Sequence, residues 1–134
     1  MFLSKNYLYQ LKQKLRNWPP AEEVTILRKK LLTDVDAGYI RMRVQLQDGH
    51  LLEVSEYVSV ETGRLIRTSY SYHWQDRTGK LIQRWDNAPH HPHVKTYPYH
   101  THLQEESNII ASEEMTIDKI LKMIASNMTL TEEK

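Results

Sequence analysis

The stretch that decides the fold is residues 39–60, which read YIRMRVQLQDGHLLEVSEYVSV. In its first half, apolar residues alternate with arginine and glutamine, which is the period of a half-buried strand. Asp48-Gly49 interrupts this alternation and is a typical two-residue hairpin turn. In its second half, leucine and valine again recur at every other position. The stretch therefore predicts a β-hairpin with one buried face.

Further strands flank this hairpin. Residues 22–34 suit either a helix or a strand, and their position directly before the hairpin favours a strand. Downstream, Thr62-Gly63 leads into a strand over residues 65–75, and Thr78-Gly79 leads into another over residues 80–85. Short turns that contain glycine join antiparallel neighbours. The sequence thus predicts an antiparallel meander of about five strands.

A helix is predicted at each end of the chain. Over residues 4–17, Tyr7, Leu11 and Leu15 recur on one helical face, with Ser4 as the N-cap. Near the C-terminus, apolar residues recur from Ile117 to Ile124, with Thr116 as the cap. We expect an α+β fold in which both helices pack on one face of the sheet, and a single domain over residues 1–134.

Composition narrows the classes of function. The 134 residues contain no cysteine, which excludes disulfides, thiolate metal sites and cysteine nucleophiles. The net charge of +1 is too mild to indicate nucleic-acid binding by itself. No apolar run approaches the roughly 20 residues that cross a membrane, and no signal peptide is recognisable. We therefore expect a cytoplasmic protein that does not contact a membrane.

Five of the seven histidines lie between His90 and His102, within residues 86–115, where strand periodicity stops. Long loops in small domains are often functional. The segment reads RWDNAPHHPH at residues 84–93 and YPYHTH at residues 97–102. Parts of these runs, RWDNAPHHP at residues 84–92 with Pro98, His100 and His102, resemble the TumE-like family of prokaryotic toxins. The resemblance extends to Asp48-Gly49 and to LEVSEY, YSY, WQD and GKL at residues 52–57, 70–72, 74–76 and 79–81.

This resemblance implies a growth-arresting toxin held in check by a cognate antitoxin. The predicted open sheet would leave an exposed edge or groove on which an antitoxin could dock. A homodimer is a further expectation. By analogy with other small toxins, the resemblance also implies a metal-independent endoribonuclease with RNA as its substrate and no cofactor.

Histidine chemistry suits RNA cleavage, because an imidazole with a pKa near 6.5 can take a proton from a 2′-hydroxyl and return one to a leaving oxygen. The catalytic candidates are His90, His91, His100, His102, Arg84, Asp86 and Glu56. Among them, Arg84 would bind phosphate and Asp86 would orient an imidazole. The candidates for nucleic-acid contact are Trp85, Lys95, Tyr97, His73 and Arg67.

Alternatives remain open. One is that the histidine segment is a structural loop over the sheet, in a module that binds nucleic acid or protein without catalysis. The pairs His91-x-His93 and His100-x-His102 would also suit zinc or nickel in a His-rich metal-binding protein. Glu56 lies in phase with the apolar positions of its strand, so a buried structural hydrogen bond competes with a role as general base.

Overall fold

A computed structural model of the chain describes residues 2–132. Seven strands form one antiparallel sheet whose spatial order is the chain order. The strands are β1 (Ala21–Leu32), β2 (Ala37–Leu46), β3 (Leu51–Glu61), β4 (Arg64–Gln75), β5 (Leu81–Asp86), β6 (His100–Leu103) and β7 (Ile109–Ala111). The helices are α1 (Leu3–Arg16) and α2 (Ile117–Glu132). The α+β fold and the meander are confirmed, but the sheet has seven strands rather than about five.

The two additional strands lie in the segment predicted as a loop. β6 has four residues and β7 has three, which is too short for an alternating pattern to be recognised in sequence. β6 pairs with β5, and β7 pairs with β6. They form because the edge of β5 has unpaired backbone groups with which β6 can pair, so they depend on tertiary contacts rather than on local sequence.

One face of the sheet packs against both helices. The alternation of residues 39–60 buries every second side chain of β2 and β3 there. α1 contributes Leu8, Leu11 and Leu15, and α2 contributes Ile120 and Ile124, to one apolar core. Among the described residues, no helix is long and apolar enough to span a membrane.

The start of α1 differs from the prediction. The N-cap is Phe2, not Ser4, and no side chain of the helix caps its amides. Instead, the Asp36 carboxylate accepts hydrogen bonds from the backbone amides of Leu3 at 2.8 Å and Ser4 at 3.0 Å. The carboxylate reaches these donors from the turn before β2, so the helix is anchored by a residue distant in sequence. The predicted Thr116 cap of α2 is confirmed, since its hydroxyl accepts from the Lys119 amide.

The opposite face of the sheet carries polar side chains from five adjacent strands. We call this the polar face. Its members, aligned by strand register, are Arg41, Arg43, Glu53, Ser55, Ser69, Ser71, His73, Arg84, Asp86, His100 and His102.

A β-bulge removes Arg67 from the polar face. Tyr57 pairs with Ser69 and Val58 pairs with Arg67, so Thr68 is an extra residue in β4. A one-residue insertion reverses the side on which the preceding side chains point. Arg67, a predicted nucleic-acid contact, therefore lies on the helix side of the sheet and not on the polar face.

Candidate functional site

The polar face leads to a compact group of imidazoles at the end of β5. Along β5, Arg84 and Asp86 point to the polar face and Trp85 points to the core, because side chains alternate along a strand. Trp85 pairs with Tyr72 and is 2% exposed. The expectation that Trp85 stacks on bases was therefore wrong, since its ring belongs to the core.

β6 brings two histidines alongside β5. His100 lies opposite Asp86, and His102 lies opposite Arg84. Both imidazoles are buried, at 2% and 4% exposure. His91 returns from the loop to meet them, with ring centroids 4.9 Å from His100 and 5.8 Å from His102. We call Asp86, His91, His100 and His102 the His–Asp cluster.

Asp86 is the common acceptor in this cluster. Its Oδ1 lies 2.9 Å from His100 Nε2, and its Oδ2 lies 3.5 Å from His102 Nε2. The same carboxylate accepts from Arg84 Nε at 3.2 Å and from the Ala88 amide at 3.0 Å. These contacts offset the cost of burying its charge. The role predicted for Asp86, orienting an imidazole, has a direct geometric basis.

The backbone fixes the tautomers of both buried histidines. His100 Nδ1 lies 3.0 Å from the Pro98 carbonyl oxygen, and His102 Nδ1 lies 2.8 Å from that of Glu106. A carbonyl oxygen only accepts, so each Nδ1 carries a hydrogen and donates it. Each Nε2 then faces the carboxylate of Asp86. A lone pair on Nε2 would repel a carboxylate oxygen at hydrogen-bond distance. A positively charged atom, either a proton or a metal ion, is therefore required between each Nε2 and the Asp86 carboxylate.

His91 is half-buried and occupies a different environment. Partial desolvation lowers the pKa of its imidazole below the ordinary 6.5, and the nearby rings of His100, His102 and His93 lower it further. Its neutral form is therefore favoured near neutral pH. The cluster thus combines one accessible, neutral imidazole with two buried imidazoles paired to a carboxylate.

Hydrogen bonds hold the loop between β5 and β6 against the sheet. The Asn87 side chain accepts from the Tyr70 amide at 2.9 Å and donates to the Thr68 carbonyl at 3.2 Å, so it binds β4 at its bulge. Further along, the Thr96 hydroxyl donates to the Tyr99 carbonyl and accepts from the Ser112 amide. This loop is ordered by the sheet at both of its ends.

A groove of about 490 Å³ runs along the polar face and reaches the cluster at Asp86. Its walls include Arg41, His73 and Arg84, with serines from β3 and β4 between them. This volume lies within the range of ligand-binding clefts. His73 was predicted as a nucleic-acid contact, and it lines this groove.

Carboxylates partly neutralise the basic residues of the groove. Glu53 accepts from Arg41 and Arg43 at 3.0 Å each. Although partial burial acts in the opposite direction, these hydrogen bonds lower the pKa of Glu53 below its ordinary value. Arg84 donates to Asp86 and to Glu106. A guanidinium has five N–H donors, so each arginine retains donors for a ligand.

Three predicted residues of the loop between β5 and β6 are exposed and lie outside the His–Asp cluster. His90, one of the first choices for proton transfer, is exposed, and its backbone amide bonds the Ala88 carbonyl. Lys95 and Tyr97 are exposed on the same loop. The structure brings Arg84, Asp86, His91, His100 and His102 together, and it leaves these three at the surface.

Glu56 lies on the helix side of the sheet, not in the groove. It is fully buried, and it accepts hydrogen bonds from the hydroxyls of Tyr7 and Tyr72. Arg67 donates to the Tyr72 hydroxyl at 2.7 Å. Burial raises the pKa of Glu56 above its ordinary value. The expected inward direction of Glu56 is confirmed, its partners are two tyrosine hydroxyls, and the sheet separates it from the His–Asp cluster.

Sequence reasoning missed several polar residues of the site. Glu53 and Ser55 were quoted only as part of a motif, and Glu106 was not considered. The signal for the first two was available, since they alternate with buried Leu52 and Val54 along β3 and so share the face of Arg41. Glu106 had no such signal, because a turn after β6 brings it to Arg84.

The comparisons with known proteins give one family. The model of the family described as Toxin TumE matches residues 22–128, which is most of the chain and includes the whole His–Asp cluster and all seven strands except the first residue of β1. No curated protein and no solved structure gives a significant match.

Proposed function

We propose that this chain arrests growth by cleaving RNA at the His–Asp cluster. The chain belongs to the TumE toxin family and is thus the toxin component of a toxin–antitoxin system. The observation that carries this proposal is the continuity of the groove with the cluster. Arg41 and Arg84 line the groove together with Asp86, and the Asp86 carboxylate contacts the imidazoles of His100 and His102. RNA cleavage requires both, namely cations for the phosphates and groups that transfer protons.

The reaction would be a transesterification within the RNA. His91 accepts the proton of a 2′-hydroxyl, whose oxygen then attacks the adjacent phosphorus. The bond between phosphorus and the 5′-oxygen breaks as the protonated His91 delivers that proton to the leaving oxygen. The products are a 2′,3′-cyclic phosphate and a 5′-hydroxyl. The ring of His100, whose centroid lies 4.9 Å from that of His91, packs edge-on against His91 and supports it from the buried side.

The remaining residues have supporting roles. Asp86 orients His100 through the 2.9 Å contact, and His102 completes the buried pair. Arg84 contributes positive charge beside the scissile phosphate, and Arg41 contacts the strand further along the groove. The exposed loop residues Lys95 and Tyr97 lie where they can contact RNA outside the groove.

Family membership implies a cognate antitoxin. We propose that it docks along β1, a twelve-residue edge strand of the sheet whose side chains are mostly exposed. The other edge, β7, has only three residues. Pairing of two toxin copies through the same edge would give a homodimer instead. Size measurement of the toxin alone and with its antitoxin separates these outcomes.

The test compares neighbouring histidines. The chain, expressed without antitoxin, should arrest growth, and the purified protein should cleave RNA to the products above. His91→Ala should lower the cleavage rate by about 10²–10⁴-fold, the usual contribution of one proton-transfer group. His90→Ala is the matched control, because His90 is adjacent and exposed but outside the cluster. Equal activity of folded His91→Ala and wild type would overturn the proposal, as would cleavage of RNA that lacks the 2′-hydroxyl.

A further inference from the structure

The buried histidines have the bonding pattern of metal ligands. In metalloproteins, a histidine that binds a metal through one ring nitrogen usually donates the other N–H to a backbone carbonyl or a carboxylate. His100 and His102 both donate from Nδ1 to carbonyl oxygens, those of Pro98 and Glu106. Both therefore present Nε2 to the same side, with the tautomer already set.

The ligand atoms converge on one point. His91, His100 and His102 each offer a ring nitrogen, and these atoms all lie within 4.8 Å of one another. The Asp86 carboxylate, 2.9 Å from His100 Nε2, supplies an oxygen and a negative charge at the same place. Three imidazoles and one carboxylate form a donor set that suits a divalent transition metal.

We infer that the His–Asp cluster is a zinc-binding site, with His91, His100, His102 and Asp86 as its four ligands. Four ligands at the Zn–N distance of about 2.0–2.1 Å lie roughly 3.3 Å apart in a tetrahedron. The three imidazole nitrogens, which lie at most 4.8 Å apart, must therefore move closer by up to about 1.5 Å. His91 can make this movement, because it lies half-buried on a loop whereas the other three ligands are fixed in strands.

Two neighbouring histidines lie outside this ligand set. His93 is exposed, and its ring lies edge-on to that of His91 with a centroid distance of 5.9 Å. His73 lies on the polar face, where its Nε2 bonds the Gln75 side chain at 3.0 Å. The inference concerns the residues used in the proposed function but does not rest on RNA cleavage, since the site is defined by donor geometry alone.

The test is zinc binding by the untagged, full-length protein, stripped with a chelator and titrated calorimetrically without RNA. Wild type should bind one zinc ion per chain with a dissociation constant below about 1 µM. His91→Ala should weaken binding at least about tenfold while leaving the fold intact, because this side chain lies outside the core. His93→Ala and His73→Ala are the matched controls and should bind zinc as wild type does.

Replacement of zinc by Co²⁺ gives a second readout. A tetrahedral site of three imidazoles and a carboxylate should give intense visible absorption bands, and these should be lost in His91→Ala. Absence of stoichiometric zinc binding by wild type would overturn the inference, as would equal weakening by His93→Ala. Zinc binding without RNA cleavage would support the metal site and overturn the proposed ribonuclease activity. RNA cleavage without zinc binding would support the ribonuclease activity and overturn the metal site.

Discussion

Glu56 offers a test of whether a buried carboxylate belongs to the chemistry or to the fold. In Glu56→Ala, the hydroxyls of Tyr7 and Tyr72 lose their acceptor inside the protein. The Tyr72 hydroxyl still accepts from Arg67, but both hydroxyl protons are left without an acceptor. Each buried donor left without an acceptor costs about 1–3 kcal/mol, so the free energy of unfolding should fall by about 2–6 kcal/mol. That is a large part of the roughly 5–15 kcal/mol that is typical of a domain.

The measurement is urea denaturation followed by tryptophan fluorescence, since Trp74 and Trp85 are both in the core. RNA cleavage is measured in parallel and normalised to the folded fraction. Glu53→Ala is the matched control, because Glu53 lies three residues earlier on the same strand but on the polar face. Loss of its partly exposed ion pairs should cost about 1 kcal/mol or less.

The pH dependence supplies a second signature for Glu56. Burial raises its pKa in the folded state above the ordinary 4.5, so the folded protein binds this proton more tightly than the unfolded chain. Its contribution to stability is therefore full below pH 4.5 and is lost as pH rises through the raised pKa. The stability of wild type relative to Glu56→Gln should decline over that range. A folded Glu56→Ala protein of unchanged stability that has lost RNA cleavage would refute this structural role.

Three further predictions concern the polar face. Asp86→Asn removes the charge that holds His100, His102 and Arg84, so RNA cleavage should fall by about 10²–10⁴-fold; a fully active variant would separate Asp86 from the chemistry. Glu53→Gln releases Arg41 and Arg43, so RNA should bind more tightly and the slope of log affinity against log salt should steepen by about 0.7 for each additional phosphate that the arginines neutralise; an unchanged slope would place RNA elsewhere. Saturating zinc should occupy the imidazole lone pairs and slow cleavage, measured with and without a chelator; faster cleavage with zinc would contradict free-imidazole catalysis.

Sequence periodicity predicted the parts of the fold that repeat over many residues. Strands β2 and β3 alternate over ten and eleven residues, and this pattern also placed Glu56 on the buried face. The pattern fails where pairing rather than composition makes the strand, as in β6 and β7. It also fails at a bulge, because one extra residue at Thr68 reverses Arg67 without any change in residue type.

The candidate site was predicted in content but not in arrangement. Five of the named catalytic residues converge, because β5 and β6 pair with Asp86 opposite His100. His90 and His91 are adjacent residues of the same type, so the sequence cannot distinguish them. Only the path of the loop directs His91 toward the cluster and leaves His90 exposed. Trp85 is different, since its alternation with Arg84 and Asp86 already indicated that it points to the opposite face from these polar neighbours.

The seven residues from Trp85 to His91 connect the hydrophobic core to the proposed catalytic and metal-binding site. Trp85 fixes the end of β5 from the core side, and Asn87 ties the next residue to the bulge of β4. Asp86 is thereby held between two anchors, and with it His100 and His102. His91 is the ligand or base that the sheet does not hold. Proton transfer and metal binding therefore make opposite demands on the same movable residue, because a bound metal fixes His91 whereas proton transfer needs its lone pair free.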